Sequence, residues 1–365
     1  MKLIYCTSLD LPPFGMANRM HILEMAKSFS KHFKNDFFLG GRKLKLDYPE
    51  IQTVDFKTAK SYKLSFKYLK FIKANNITHA YSREPFLLAF MILYNKIFFR
   101  LKVEFIYEVH AIFTRNMADK IFDYLLAKWS DRITFITASL RDDYIKKYKI
   151  NKKKALIAPD AVNLNIFDIK LSKEDARKKL NLPLDKKIIG YCGRFRTMDM
   201  EKGIIDIFKA LKTLDDDIVF VAMGGKPRHV EYYSEKAKFF RVDNKSIIRG
   251  HFTQDIVALY QKAADVLLMP FPDIQHYRYY MSPMKMFEYM ASKRPIITSD
   301  LPSIREVLNE KSCIFCKPGD PVDLAEKIKL TLSNSILAEQ IAGQAYEDVQ
   351  NYTWDKRVEK IISFL

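Results

Sequence analysis

The feature that most constrains this chain of 365 residues is a twice-repeated alternation of short apolar runs with helix-length amphipathic segments. Strand-like runs fall at 2–7, 36–39, 51–56, 77–81, 103–109, 133–137 and 155–159. Helical patterns at 16–33, 61–75, 85–100, 117–129 and 139–149 separate most of them. A polar, turn-rich link at 159–168 interrupts the pattern. The alternation then resumes, with runs at 188–192, 218–223, 247–248, 266–270 and 296–297. Apolar runs joined by crossover-length helices predict parallel strands covered on both faces. The expected architecture is α/β, with two Rossmann-like doubly wound domains facing each other across a cleft. The first spans 1–165 and the second 166–350. A closing helix at 351–365 crosses back to the first.

In such sheets ligands bind beyond the carboxyl ends of the strands, so the loops after the strands carry the candidates. They hold Gly15, His110, Arg194, Gly225, Gly250 and the segment 279–282. Ser282 is suited to cap a helix and Pro283 to open it, which would leave free backbone N–H groups for an anion. Lys285 follows one turn in. Glu288 follows another turn in, able to accept hydrogen bonds from a hydroxylated ligand. Arg194 and Lys202 bracket one loop, as a diphosphate would require. Gly15 permits close backbone approach. His110 ends a strand, with Glu108 two residues before it, and can hydrogen-bond a substrate. His21 is expected to pack. The sequence has no GxGxxG fingerprint, Ser/His/Asp set or HExxH motif. Cys313 and Cys316 form a CxxC without a second pair and read as strand residues.

Charge is uneven. The formal net charge is +18, and residues 1–165 hold 29 Lys+Arg against 15 Asp+Glu, leaving 32 against 28 for the rest. The basic half suits an anionic membrane surface, a phosphorylated substrate or nucleic acid. Residues 60–73, KSYKLSFKYLKFIK, interleave lysines with aromatic and aliphatic residues at helical spacing, as a membrane-surface helix would. Residues 146–154, KKYKINKKK, add a second basic cluster. The opening residues lack the regions of a signal peptide, and no apolar run reaches membrane-spanning length. The expected location is cytoplasmic, with peripheral attachment to the inner face of the cell membrane as a companion expectation.

The run SPMKMFEYMASKRPIITSDLPSIREVL resembles the C-terminal signature of family 4 glycosyltransferases of the GT-B fold, in their Ser-Pro-x-Lys-x-Phe-Glu-Tyr-Met-Ala branch. GYCGRF…EKG is similar to that family's donor motif, and IAPDAVNLNIF to its interdomain segment; ITASLRDDYI and YTWDKRVEKI also have counterparts. The resemblance implies a retaining, hexosyltransferase-type enzyme. It would move a sugar from a UDP- or GDP-sugar to a hydroxyl of a sugar or lipid-linked acceptor, in cell-envelope polysaccharide, glycolipid or glycoconjugate synthesis. No metal or other cofactor is implied. Arg194 and Lys202 would hold the diphosphate, with Gly15 approaching the phosphate and Glu288 binding the ribose. Met281 and Ser282 would offer backbone N–H groups, and His110 would contact the donor sugar. The loop of Gly250, His251 and Phe252 would border the base. Gly225, Tyr280 and Lys285 complete the expected donor-binding set. The sequence departs from the family pattern at Tyr280, where an acidic residue is expected; Asp273, or backbone at 281 and 282, would have to substitute. Two other classes stand beside this reading: a catalytically inactive sugar-nucleotide-binding protein, and a basic nucleic-acid-binding protein, though no recognised RNA or DNA module is present.

Overall fold

The computed structural model describes residues 1–11, 17–57, 60–112, 117–197 and 199–365. They form two compact units, Met1–Asp160 with Trp354–Leu365, and Ala161–Thr353. The chain passes between the units at 160/161 and 353/354, where the sequence pattern put the boundaries at 165/166 and 350/351.

Unit 1 holds β1 (Leu3–Leu11), β2 (Phe37–Leu44), β3 (Gln52–Asp55), β4 (His79–Ser82), β5 (Glu104–Val109), β6 (Arg132–Phe135) and β7 (Ala155–Ile157). The order is β3-β2-β1-β4-β5-β6-β7, and each pairing is parallel. Consecutive residues Leu3, Ile4, Tyr5 and Cys6 are all buried, because helices cover both faces of this sheet. Strand order reverses between β1 and β4, the point where open sheets accept ligands. Glu84, just past β4, braces the end of β1. Its carboxylate accepts the Ser8 N–H at 2.9 and 3.0 Å and also takes the Thr7 and Ser8 hydroxyls. Gly15, in the loop that follows, lies outside the described residues.

The helix expected over 85–100 stops earlier. An α-helix runs over Pro85–Tyr94 and passes into a π-helical turn at Asn95–Phe99. The Asn95 side chain closes that turn by accepting the Leu101 N–H at 2.8 Å and donating to the Leu101 carbonyl at 3.1 Å. The C-terminal helix, Trp354–Phe364, docks on the helix Ala17–Phe33 through Asp355. That carboxylate takes the Ser28 hydroxyl at 2.6 Å and Lys31 at 2.8 Å.

Unit 2 holds β8 (Lys187–Cys192), β9 (Arg196–Thr197), β10 (Met200–Glu201), β11 (Ile218–Gly225), β12 (Ser246–Gly250), β13 (Val266–Met269), β14 (Ile296–Ser299) and β15 (Ile314–Cys316). Six form a sheet in the order β12-β11-β8-β13-β14-β15, with every pair parallel. Neighbouring residues alternate between two cores: Ile188, Val219 and Leu267 enter one, Ile189, Phe220 and Leu268 the other. β9 and β10 pair antiparallel as a small hairpin inside the loop that Arg194 and Lys202 bracket. Cys313 and Cys316 are buried free thiols at and before β15.

One expected helix boundary moves. The helix begins at Met284, with Pro283 rather than Ser282 in the cap position, at φ −78°, ψ 120°. A residue preceding proline is held to extended backbone, so Ser282 leads in and Pro283 makes the turn. The Pro283 carbonyl accepts the Met286 N–H at 2.8 Å.

Candidate functional site

Unit 2 gathers its candidates at its own switch point, between β8 and β13. β8 is followed by Gly193, at φ +126°, which turns the chain toward Arg194. The Tyr191 hydroxyl donates to the Arg194 carbonyl at 2.9 Å and fixes that turn. Lys285 enters from the helix Met284–Ala291 and lies across the Tyr191 ring, Nζ 3.6 Å from its centroid. A Cβ on Gly193 would stand 3.2 Å from Lys285 Cε, so glycine serves both the backbone angle and the lysine's passage. The two segments are also tied directly. The Tyr289 hydroxyl accepts the Cys192 N–H at 2.7 Å and donates to the Cys192 carbonyl at 3.2 Å.

Lys285 is 7% exposed. Among the described residues its ammonium has no hydrogen-bond acceptor. Burial, and then Lys202, push it well below the usual ammonium range. Burial and the Arg194 guanidinium push Lys202 down to about 8. A cation buried against ring faces without a hydrogen-bond acceptor is costly even with Glu288 and Glu201 pulling in its favour, and an arriving anion would relieve that cost. Glu288, one turn beyond Lys285, receives a long hydrogen bond from Gln261 Nε2 at 3.4 Å. Burial pushes its carboxyl up to about 7.

Glu201 is a site residue the sequence reading missed. Its carboxylate accepts the N–H groups of Gly203, of Ile204 at 2.7 Å and of Ile205 at 3.4 Å. The helix Ile204–Leu211 therefore carries its own capping carboxylate. Those N–H groups are taken by Glu201, so what this end of the unit offers an anion is the cations Arg194, Lys202 and Lys285. Asp273 is not free to replace the missing acid at 280, because it pairs with Arg278. Tyr280 is half-buried, and its N–H is spent on the His276 carbonyl at 3.0 Å. Met281 and Ser282 are buried. Gly225 and Gly250 end neighbouring strands and face each other in register. His251 is exposed, and Phe252 packs on Tyr260 with ring centroids 5.6 Å apart.

Unit 1 holds a different arrangement at the end of β5. Glu108 and His110 lie two residues apart on a strand and so point the same way. Glu108 is fully buried, and one carboxylate oxygen faces both His110 Nε2 and, at 3.0 Å, His21 Nε2. The other takes the Tyr81 hydroxyl and, at 3.1 Å, the Arg357 guanidinium from the C-terminal helix. Arg357 also donates to the carbonyls of Pro159 at 2.9 Å and Ala158 at 3.2 Å. Burial alone would raise Glu108; Arg357, with the two imidazoles, reverses this and holds it well below the usual carboxylate range. Burial and Arg83 push His110 down to about 4, against the pull of Glu108. His110 is thus a neutral imidazole oriented by a charged carboxylate.

His21, Glu108 and His110 have the spacing of a metal-ligand set among the described residues. The guanidinium on the same carboxylate opposes a second cation there, so the geometry favours an orienting network. His21 packs, as expected, yet it also contacts Glu108. Arg357 lies too far along the chain for any local pattern to have joined it to His110.

Sequence comparison bears on unit 2. Residues 172–348 match the model of the glycosyl transferases group 1 family. That segment contains Arg194, Lys202, Lys285 and Glu288. TuaC of Bacillus subtilis (strain 168), provisionally assigned as a teichuronic acid biosynthesis glycosyltransferase, is 29% identical over 179 residues, 49% of this chain and 41% of its own. The chain spans about half the length of the curated relatives it matches. Solved structures extend the likeness to the whole fold. A glycosyltransferase from Rickettsia africae ESF-5 superposes with a TM-score of 0.81 at 18% identity, covering 99% of this chain and 97% of that one. Anabaena Alr3699/HepE, crystallised with UDP, gives 0.79 at 14% identity over 100% of both chains. The fold is that of the GT-B glycosyltransferases.

Proposed function

We propose that the protein is a glycosyltransferase that moves a sugar from a nucleotide-diphosphate sugar, a UDP- or GDP-sugar, to an acceptor hydroxyl. Unit 2 binds the donor. The observation that carries this reading is the buried Lys285 ammonium without an acceptor, set beside Lys202, which lies within the field of Arg194. A donor diphosphate supplies the anion that such a cluster lacks. The same cations stabilise the charge that develops on the departing nucleoside diphosphate, so side chains rather than a metal ion do this work. Glu288 accepts hydrogen bonds from the nucleotide ribose. Gly250, His251 and Phe252 border the base.

Unit 1 serves the acceptor side, and its His110, aligned by Glu108, contacts the donor sugar, as the family resemblance implies. No protein nucleophile is evident among the described residues, in agreement with front-face transfer with retention of configuration. In that route the leaving phosphate takes the acceptor proton. The basic character of unit 1 suits a lipid-linked or membrane-proximal acceptor in envelope polysaccharide or glycolipid synthesis, on the cytoplasmic side. TuaC's assignment to teichuronic acid supports that setting.

Lys202→Ala and Glu288→Ala test the site. Each should lower transfer by about 100- to 1,000-fold, with circular dichroism unchanged. Unchanged turnover in both would overturn the assignment. Nucleotide binding without acceptor-dependent release of nucleoside diphosphate would instead identify an inactive sugar-nucleotide binder.

A further inference from the structure

Three helices of unit 1 share a surface that no step of sugar transfer requires: Ser61–Ala74, Pro85–Tyr94 with its π turn Asn95–Phe99, and Met117–Trp129. Aromatic contacts stitch them together. Tyr62 meets Phe90, which meets Phe122 at 5.3 Å; Phe66 meets Tyr94, which meets Phe98 at 6.1 Å. These rings line no interior. Phe98 is 66% exposed, Ile97 51%, and Ile121 and Tyr124 52% each. The π turn presents Ile97 and Phe98 on consecutive positions.

Charge on the same helices has one sign. Lys63, Lys67, Lys70 and Lys73 lie on the exposed side of the first helix. Lys96, Lys120 and Lys128 do so on the others. The acids on these helices, Asp119 and Asp123, are both buried. A groove lined by Tyr62, Phe66, Tyr94 and Phe98 has Lys63, Lys67 and Lys70 in its walls. Lys70 Nζ sits 5.2 Å above the Phe66 ring, so ring and ammonium are presented together. Large exposed apolar patches are unusual on proteins with no partner. A flat protein partner would leave seven like charges uncompensated, whereas an anionic bilayer matches both components. Headgroup phosphates take the lysines, and the interfacial layer takes aromatic rings and short aliphatic side chains.

We propose that this three-helix face docks the protein on an anionic lipid bilayer, with Ile97 and Phe98 entering the interface and the lysines holding phosphate. The proposal stands apart from sugar transfer and survives or fails without it. The test is co-sedimentation of the full chain with vesicles of phosphatidylcholine, alone or with phosphatidylglycerol. The protein should partition to the mixed vesicles only, and less as salt rises. Reversing Lys63, Lys67 and Lys70 to Glu should lower that partition by about 100-fold. Ile97→Ser with Phe98→Ser should lower it by about tenfold or more while leaving the thermal midpoint and nucleotide binding unchanged. Equal binding to both vesicle types, full binding by the charge-reversed variant, or preference for duplex DNA over the mixed vesicles would each overturn it.

Discussion

The polar centres of the two units solve opposite problems. In unit 1, Glu108 is buried among His110, His21, Tyr81 and Arg357, so its charge is met inside the protein. In unit 2, Lys285 is buried against ring faces with Lys202 nearby; Glu288 and Glu201 pull the other way, but among the described residues its ammonium has no hydrogen-bond acceptor. In the first centre the carboxylate is compensated and aims the His110 imidazole, although the ring nitrogens of His21 make no hydrogen bond among the described residues. The second lacks a hydrogen-bond acceptor for its ammonium, which is the state that the proposed anion would complete. Buried charge alone therefore does not mark a binding site; its state of compensation does.

Removing a partner should do most harm where a buried charge is compensated. Arg357→Ala leaves Glu108 buried without its cation and should cost about 3–5 kcal/mol of stability, read from urea unfolding of the full chain. A loss below 1 kcal/mol, on the scale of an exposed pair, would mean that water reaches Glu108. In unit 2 the opposite outcome is expected. Lys285→Met replaces an ammonium that lacks a hydrogen-bond acceptor by an apolar chain of similar length, so the thermal midpoint should hold or rise. Nucleoside diphosphate affinity should fall by about 1.5–3 kcal/mol, tenfold or more, through loss of a charged hydrogen bond. Calorimetric titration reads both sides, and loss of stability with unchanged affinity would make Lys285 structural.

The smallest effect is on pH. Lys202 has a folded pKa of about 8, below its ordinary 10.5. Its contribution to stability is therefore present above the ordinary value and is lost as pH falls through about 8. Ligand binding has the reverse sign. A diphosphate favours the ammonium, so binding above pH 8 takes up a proton and weakens by up to about tenfold per pH unit. Titrations at pH 7.5 and 9, in buffers of different ionisation heat, check this; no proton uptake at pH 9 would remove Lys202 from the anion site.

The same comparison shows what could be read from residue order. Both sheets were legible because pairs such as Ile188 and Ile189 are apolar on both faces of a strand, which parallel packing alone demands. Arg194, Lys202 and Lys285 stand out as candidates because each lies at or near an element's end, where ligands meet backbone; Glu288, mid-helix, is singled out only by its spacing of one turn from Lys285. The hairpin of β9 and β10 was not legible, since two-residue strands leave no periodic signal. Glu201 looked like one more surface acid beside Lys202. The start at Met284 was misjudged by one residue because Pro283 can open a helix or precede one. Nothing local could link Glu108 to Arg357.

The C-terminal helix has a consequence for the order of assembly. A domain at the start of a chain ordinarily folds while the rest is being made. Here the carboxylate at 108 waits for its guanidinium until residue 357 has left the ribosome, after the whole of unit 2. The second unit in sequence is therefore free to be the first to finish, and the first to be translated closes last.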